Sequence, residues 1–506
     1  MSLGERAAEL AERDLPLAVE ILREAIRIPA DQVDRPLEEG GDPACGLSNH
    51  EGPRLEYLRR RIVEIGAVAD ESDVGFDDFG NLWWTVQDPD DGIDEAAKRV
   101  VWFDGHTDTV AALRDQWREH LVGVDAYDGL VDAGRIHEAA LRAELGHLPP
   151  EDEWHHLVFG RGAADQLSGV VSQILATRIA RELAPEGALR GVVIRAHGTV
   201  AEEDNDGGGS RWFLARALAG ATALPDAIVL TEGTGDAVKG ALGIYRGQRG
   251  RMQIEVTVTG RSAHGSMPAE GLNPLEFGSA ILAEAAARHE AGEGFADDPF
   301  LGRGTRTASW AALDTPSDCA VPARFTFRFD RRLTPAEHPD AARADVEGLA
   351  AVAAARAAGL DVEVTVPHYD RPTWRGHRPD NPQVYPGWVT PEDHPAVTAA
   401  VATYTEVVTP AVPEPVPGGG LRPEPRVDRW IFSTDGVGFT VPTGEADVPA
   451  AKGWIDAGDV IHPPMIGFGP GIEQNTHKIG ECVDARELRF AVAFLATYPA
   501  TFAAAP

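Results

Sequence analysis

Two histidines and five carboxylates define the chemistry open to this sequence. His106 and Asp108 follow the run Val100-Val101-Trp102-Phe103-Asp104-Gly105. Asp165 closes Gly160-Arg161-Gly162-Ala163-Ala164-Asp165, and Glu202 and Glu203 are adjacent. Glu232 follows Thr231, and His477 lies between Thr476 and Lys478. Imidazoles and carboxylates are the ligands that borderline and hard divalent metals take. Two histidines and three carboxylates suffice for two ions if one carboxylate bridges. In an adjacent Glu pair, one member can bind metal while the other takes a proton from water. An aspartate two residues beyond a histidine can accept a bond from the second ring nitrogen and fix its tautomer. Each feature also has an ordinary reading taken singly. Asp108 could cap a turn, Asp165 could cap a helix, Glu202-Glu203-Asp204 could be an acidic turn, and His477 could be a surface histidine. Specificity lies in the ordered set.

These residues need rigid supports, and the chain offers them. The apolar β-branched run ending at His106 reads as a buried strand, with its carboxyl end where α/β proteins bind ligands. Further strands are expected at 68–72, 81–87, 191–200 and 226–231, the last two leading into Glu202 and Glu232. Helical periodicity covers 5–28, and a loop rich in Pro, Gly and Asp covers 30–47. Ser48 and Glu51 form a capping-box pattern for a helix to about Ile65. An apolar helix runs from Ser168 to about Ala184. Strands alternating with helices imply a mostly parallel α/β sheet. Residues 111–156 are mostly polar, with a helical middle near 135–145, and read as an insertion over the mouth of the site. Near Tyr245 the pattern changes to strictly alternating strands at 253–260, 324–330 and 361–367, with helices at 274–289 and 341–358. This is a compact α+β insert. Pro-rich loops at 373–392 and 409–428 and helices at 394–408 and 485–498 return the chain to the first domain. The expected division is 1–246, 247–372 and 373–506.

The chain has 506 residues, enough for two domains, and a net charge of −34. That charge argues against nucleic acid or an anionic membrane surface as partner. The three cysteines Cys45, Cys319 and Cys482 are too few and too scattered for a disulfide framework or a CxxC zinc site. The first residues lack an apolar signal core, and no apolar run reaches membrane-spanning length. A cytoplasmic protein with reduced thiols is expected.

The ordered motifs resemble the M20 family of metallopeptidases and amidohydrolases. The resemblance rests on GHTDTV at 105–110, GRGAAD at 160–165, Glu202-Glu203, Thr231-Glu232-Gly233, Gly260-Arg261-Ser262-Ala263-His264-Gly265-Ser266 with Pro268, and Gly469-Pro470-Gly471 before His477. It implies a discontinuous catalytic domain with an inserted lid that also forms a homodimer contact. It implies two divalent ions, zinc with manganese or cobalt as alternatives. His106 and Glu232 would hold one ion, Glu203 and His477 the other, and Asp165 would bridge. Asp108 would orient His106, and Glu202 would be the general base and later the general acid. His264 would reach the partner subunit's site and stabilise the oxyanion. A metal-bridging hydroxide would then attack a peptide or amide carbonyl. Arg328 stands where the family carries an arginine for a substrate carboxylate; its ordinary reading is an exposed strand position.

Two departures bear on substrate. Leu167-Ser168-Gly169 replaces the frequent Lys-Gly-Gly, and Cys319 replaces an asparagine before Val321-Pro322. The first expectation is therefore a peptidase or N-acyl-amino-acid deacylase. The alternative is an amidase or aryl-amine hydrolase acting on a substrate without an α-carboxylate, which Cys319 favours. Glu232 in place of a histidine disfavours the ureido-hydrolase branch. A non-catalytic metal-binding interaction subunit is the reading from another class, and Glu202 argues against it.

Overall fold

The computed structural model describes residues 1–30, 50–121, 123–131, 138–412, 414–416, 420–444, 448 and 452–505. α1 (Leu3–Ile26) starts at Ser2, whose hydroxyl accepts from the Glu5 N–H while Glu5 accepts in return from the Ser2 N–H. α2 (Gly52–Glu64) follows Glu51. Ser48 of the expected capping box lies outside the described residues; Glu51 is buried and accepts from the Ala201 N–H at 3.3 Å. The strand expected at 68–72 is displaced. Asp70 accepts from the Ser72 N–H and caps a 3₁₀ turn, Glu71–Asp73. Such local side-chain bonds compete with strand pairing, so β1 (Val74–Phe76) begins only after the turn. β2 (Leu82–Gln87) and β3 (Arg99–His106) follow.

The 111–156 segment holds α3 (Arg114–His120) and α4 (Glu138–Glu144). Its polar composition hides an apolar cluster of its own, in which Trp117, Leu121, Leu141 and Trp154 pack with Ile479 and Cys482. Then come α5 (Ser168–Glu182), β4 (Val192–Thr199), the single turn α6 (Glu202–Asn205), α7 (Gly208–Leu218), β5 (Ala227–Leu230) and β6 (Ile244–Gln248).

The next stretch builds a second sheet. It contains β7 (Gly250–Thr259), α8 (Pro274–Glu290), β8 (Thr305–Asp314), β9 (Arg324–Leu333), α9 (Pro339–Glu347), α10 (Ala350–Ala357), β10 (Asp361–Thr365) and β11 (Val384–Tyr385). The order is β8-β9-β7-β10, all antiparallel, with β11 also paired to β7. Alternation along β7 sends Met252, Ile254, Val256 and Val258 into a core with Phe325, Phe327 and Phe329, as a half-buried strand requires. β8 was not expected from the sequence. It is an edge strand exposed along most of its length, so its residues do not alternate.

The chain returns through β12 (Trp388–Val389), α11 (Pro395–Val407), β13 (Val427–Trp430), β14 (Met465–Gly467) and α12 (Ala485–Ala504). The first sheet runs β1-β2-β4-β3-β5-β14-β6-β12, with β13 also beside β6. Its centre, β4-β3-β5-β14, is parallel, and the β1-β2-β4 edge is antiparallel. α1, α5, α11 and α12 cover one face, while α7 lies over the other. The carboxyl ends of β3, β4 and β5 therefore open at one edge, where His106, Glu202 and Glu232 follow.

Candidate active site

Asp165 lies at the centre of the constellation. Its Oδ1 is 3.0 Å from His106 Nε2, and its Oδ2 is 3.0 Å from His477 Nε2. His106 Nε2 also lies 3.4 Å from Glu232 Oε2, and His477 Nε2 lies 3.1 Å from Glu203 Oε2. One carboxylate thus faces two imidazoles, each with its own second carboxylate. Glu202 Oε2 stands 3.9 Å from His106 Nε2. Asp108 sits behind: an oxygen lies 3.4 Å from His106 Nδ1, while its two oxygens accept from the Glu202 and Glu203 N–H groups at 3.1 and 3.0 Å. Asp108 therefore fixes both the histidine and the turn carrying the Glu pair.

The supporting backbone is packed too tightly for side chains. A Cβ on Gly169 would lie 2.1 Å from the Thr231 carbonyl oxygen, and one on Gly469 would lie 1.9 Å from it. The glycines on either side of Thr231 thus let the Glu232 strand end sit between α5 and the 469–471 turn. The replaced Lys-Gly-Gly keeps the glycine that matters, and Ser168 Oγ donates to the Pro470 carbonyl at 3.3 Å.

The loop leading to Asp165 hangs on a residue that the sequence reading missed. Glu481 Oε1 accepts from the N–H groups of Gly162, Ala164 and Asp165, and its Oε2 accepts from Arg161 at 2.5 Å. Both side chains are buried. Removing one partner of a buried ion pair leaves an uncompensated charge. Arg161→Met is therefore expected to lower stability by about 3–5 kcal/mol in chemical denaturation.

The pocket has a marked electrostatic signature. Burial, then the charge of Asp165, pushes Glu232 up to about 8. Burial raises Glu202, and burial with Asp165 raises Glu203. Burial works against a charged His477, but Asp165 and Glu203 outweigh it and push the ring up to about 12. His106 is likewise held well above the usual imidazole range by Asp108, Asp165 and Glu232, against its burial. This is a donor set short of positive charge. His106, Asp165 and Glu203 offer ligand atoms within 4.8 Å of one another, so the residues fit divalent cations in both distance and chemistry.

The candidates line one pocket of about 370 Å³, with Asp165, Glu202, Glu203, Glu232 and His477 on its wall. A larger, mostly apolar cleft of about 560 Å³ between α7 and residues 334–340 holds none of them; the chemistry places the site in the smaller one. Two expected residues lie elsewhere within the protomer. His264 is exposed on a short strand paired with Ala320–Val321 and accepts from the Ser266 N–H at 3.1 Å. Arg328 bonds Glu255 at 2.7 Å beneath Trp310 on the second sheet. The pocket instead contains Arg251 and Arg332 from β7 and β9, with Asp206, Ser433 and Glu473. Arg332 was legible in principle, being on the same strand face as Arg328, four residues and two strand periods later.

Among its described residues, the 111–156 segment supplies none to this pocket. The expectation that it covers the mouth is corrected: its apolar cluster packs behind the His477 loop, and His147 and Asn475 exchange bonds at 2.9 and 2.8 Å.

A family model described as a peptidase dimerisation domain of the M20 type matches residues 246–358. The uncharacterized protein YgeY of Escherichia coli strain K12 is 33% identical over 384 residues, spanning 76% of this chain and 81% of that protein. The chain belongs to the M20 family. The matched domain is described as that of a peptidase. Its fold also matches the Saccharomyces cerevisiae dipeptidase Dug1p, with a TM-score of 0.64 and 13% identity over the whole of both chains. Human carnosine dipeptidase 1 matches with a TM-score of 0.62 and 16% identity over 99% of each chain. The M20 match falls on the second sheet, where Cys319 stands beside His264: the Gly265 N–H donates to the Cys319 carbonyl at 2.8 Å. Both residues are exposed there.

Proposed function

We propose that this M20 enzyme is a dinuclear peptidase or N-acyl-amino-acid deacylase. The observation that carries the reading is Asp165 facing both His106 and His477, at a pocket whose wall also carries Glu202, Glu203 and Glu232. His106 and Glu232 would hold one divalent cation, Glu203 and His477 the other, and Asp165 both; zinc suits the set, as do manganese and cobalt. Cations held there would polarise the scissile carbonyl and acidify the attacking water. Glu202 accepts that water's proton and returns it to the leaving amine. Asp108 keeps His106 in one tautomer and orientation. Arg332 lines the pocket and is better placed than Arg328, within one protomer, to meet a substrate carboxylate.

The working unit in this reading is a homodimer built on the second sheet, with 247–372 as lid, acting in the cytoplasm. β8 supports this: it is a ten-residue edge strand carrying exposed Trp310 and Leu313, and open edges of that kind recruit another strand. His264, exposed and remote from its own pocket, would donate to the oxyanion of the partner's substrate. Leu313→Asp is expected to shift the protein from dimer to monomer in sedimentation and to remove activity with it; an active monomer would exclude a role for His264 across the interface.

A second reading has its own observation. Cys319, exposed beside His264, replaces an asparagine, and this favours an amide substrate lacking an α-carboxylate. Amine release by metal-loaded protein from dipeptides, N-acyl amino acids and carboxylate-free amides separates the two. Release confined to carboxylate-bearing compounds supports the peptidase or deacylase; release confined to the others supports the amidase.

A further inference from the structure

The Glu pair rides on an unusually short support. α6 is four residues long, preceded by Ala201 at φ 65° and followed by Asp206 at φ 46°. A single turn bounded by two strained residues has no stability of its own. It must be held from outside. At its front, Asp108 accepts from the first two N–H groups, as described above. At its back, Asn205 is fully buried and its one carboxamide oxygen takes three donors: Gln383 Nε2 at 2.7 Å, the Tyr385 hydroxyl at 2.9 Å and Asn381 Nδ2 at 3.0 Å. Its own Nδ2 donates to Asn381 Oδ1 at 3.0 Å. Nothing in the proposed chemistry uses this residue.

All three partners lie on the segment that leaves the second sheet. β11 pairs with β7 at Tyr385 opposite Arg251 and Val384 opposite Met252. A parallel strut runs beside it: Asp206 accepts from Arg251, which also bonds Asp330 on β9 at 3.1 Å. The Arg211 guanidinium packs 4.4 Å over the Tyr385 ring from the far side. α6 is thus strung between Asp108, which lies two residues past the end of β3 in the first sheet, and the stem of the second. Asn205 stands three residues after Glu202, one turn along the same face.

We infer that Asn205 is a positioning residue for Glu202: it carries the attitude of the 381–385 stem to the general base, which is in place only when that stem is docked. The inference rests on the reading of Glu202 as the base.

The test uses the full, metal-loaded protein and whichever substrate the wild type cleaves. Asn205→Ala is expected to keep its metal content and a KM within about twofold of wild type, while kcat falls about 100-fold. Tyr385→Phe removes one hydroxyl, bonded to Asn205 and Asn381 rather than to a proposed ligand, and a loss of about fivefold in kcat is expected. In the double variant the Tyr385 change is expected to add nothing further. An unchanged kcat in Asn205→Ala overturns the inference, as does a loss that follows metal content or unfolding temperature, or a Tyr385→Phe effect that persists in full without Asn205. If Asn205→Ala does not fold, Tyr385→Phe and Gln383→Leu decide it: wild-type kcat in both overturns the inference, and a kcat loss at normal KM and metal content supports it. Glu202→Ala separates the two levels. An active Glu202→Ala protein removes the base and the inference together. An inactive one beside a fully active Asn205→Ala protein removes only the inference.

Discussion

Glu202→Ala is expected to bind its metals as the wild type does and to lose about 10²–10⁴-fold in kcat. The geometry separates this residue from its neighbour. Glu203 Oε2 points at His477, while its Oε1 accepts from the Val110 N–H at 3.2 Å. Glu202 approaches His106 Nε2 only to 3.9 Å, too far for a hydrogen bond. Its carboxylate reaches the pocket without being committed to either histidine. The two adjacent residues should therefore fail differently. Glu203→Ala is expected to lose metal along with activity, and Glu202→Ala activity alone. Metal analysis of both variants beside single-turnover amide cleavage reads the difference. If Glu202→Ala turned over at the wild-type rate, the proton would have to travel by another group; Glu473 is the remaining carboxylate in the pocket with no assigned role.

Most of this centre could be read from residue type and order, because its parts follow strand ends. His106, Glu202 and Glu232 each appear where an apolar run stops, and a parallel sheet centre brings such ends together. What stayed hidden depends on contacts between distant segments. Glu481 ties down the Asp165 loop through three backbone N–H groups, yet no local pattern marks it, since it lies four residues past His477 in a turn. Arg251 and Arg332 enter the pocket from the second sheet; strand periodicity puts Arg332 on the face of Arg328 but does not report which residues of that face meet the first sheet. β8 escaped for the opposite reason: an exposed edge strand carries no alternation to detect. The polar look of 111–156 misled because a few tryptophans and leucines, spaced far apart, are enough to make a small core. The first strand was misplaced by local chemistry at Asp70 rather than by hydrophobicity.

Asp165→Ala should do more damage to the metal centre than any other single change. The other proposed carboxylate ligands, Glu232 and Glu203, face one histidine each, whereas Asp165 faces both at 3.0 Å. Its loss is expected to lower the stoichiometry from two ions to one or none, with hydrolysis lost in step. Chelation of the wild type should act in the same direction without mutation. Stripped of cations, the pocket leaves Glu202, Glu203, Glu232 and Asp165 facing one another in a buried space, and burial already forces Glu232 up to about 8. Restoring metal at 1,000 times its Kd is worth about 4 kcal/mol to the folded state for one site, so the unfolding temperature should rise steeply on add-back. Asp165→Ala should show a smaller rise, because the second cation has lost the carboxylate that places it beside the first. Calorimetric titration of metal into stripped wild-type and Asp165→Ala proteins measures both effects. Two ions bound with undiminished activity in Asp165→Ala would move the bridge to another carboxylate, and Glu203, whose oxygens lie between Val110 and His477, would be the residue to test next.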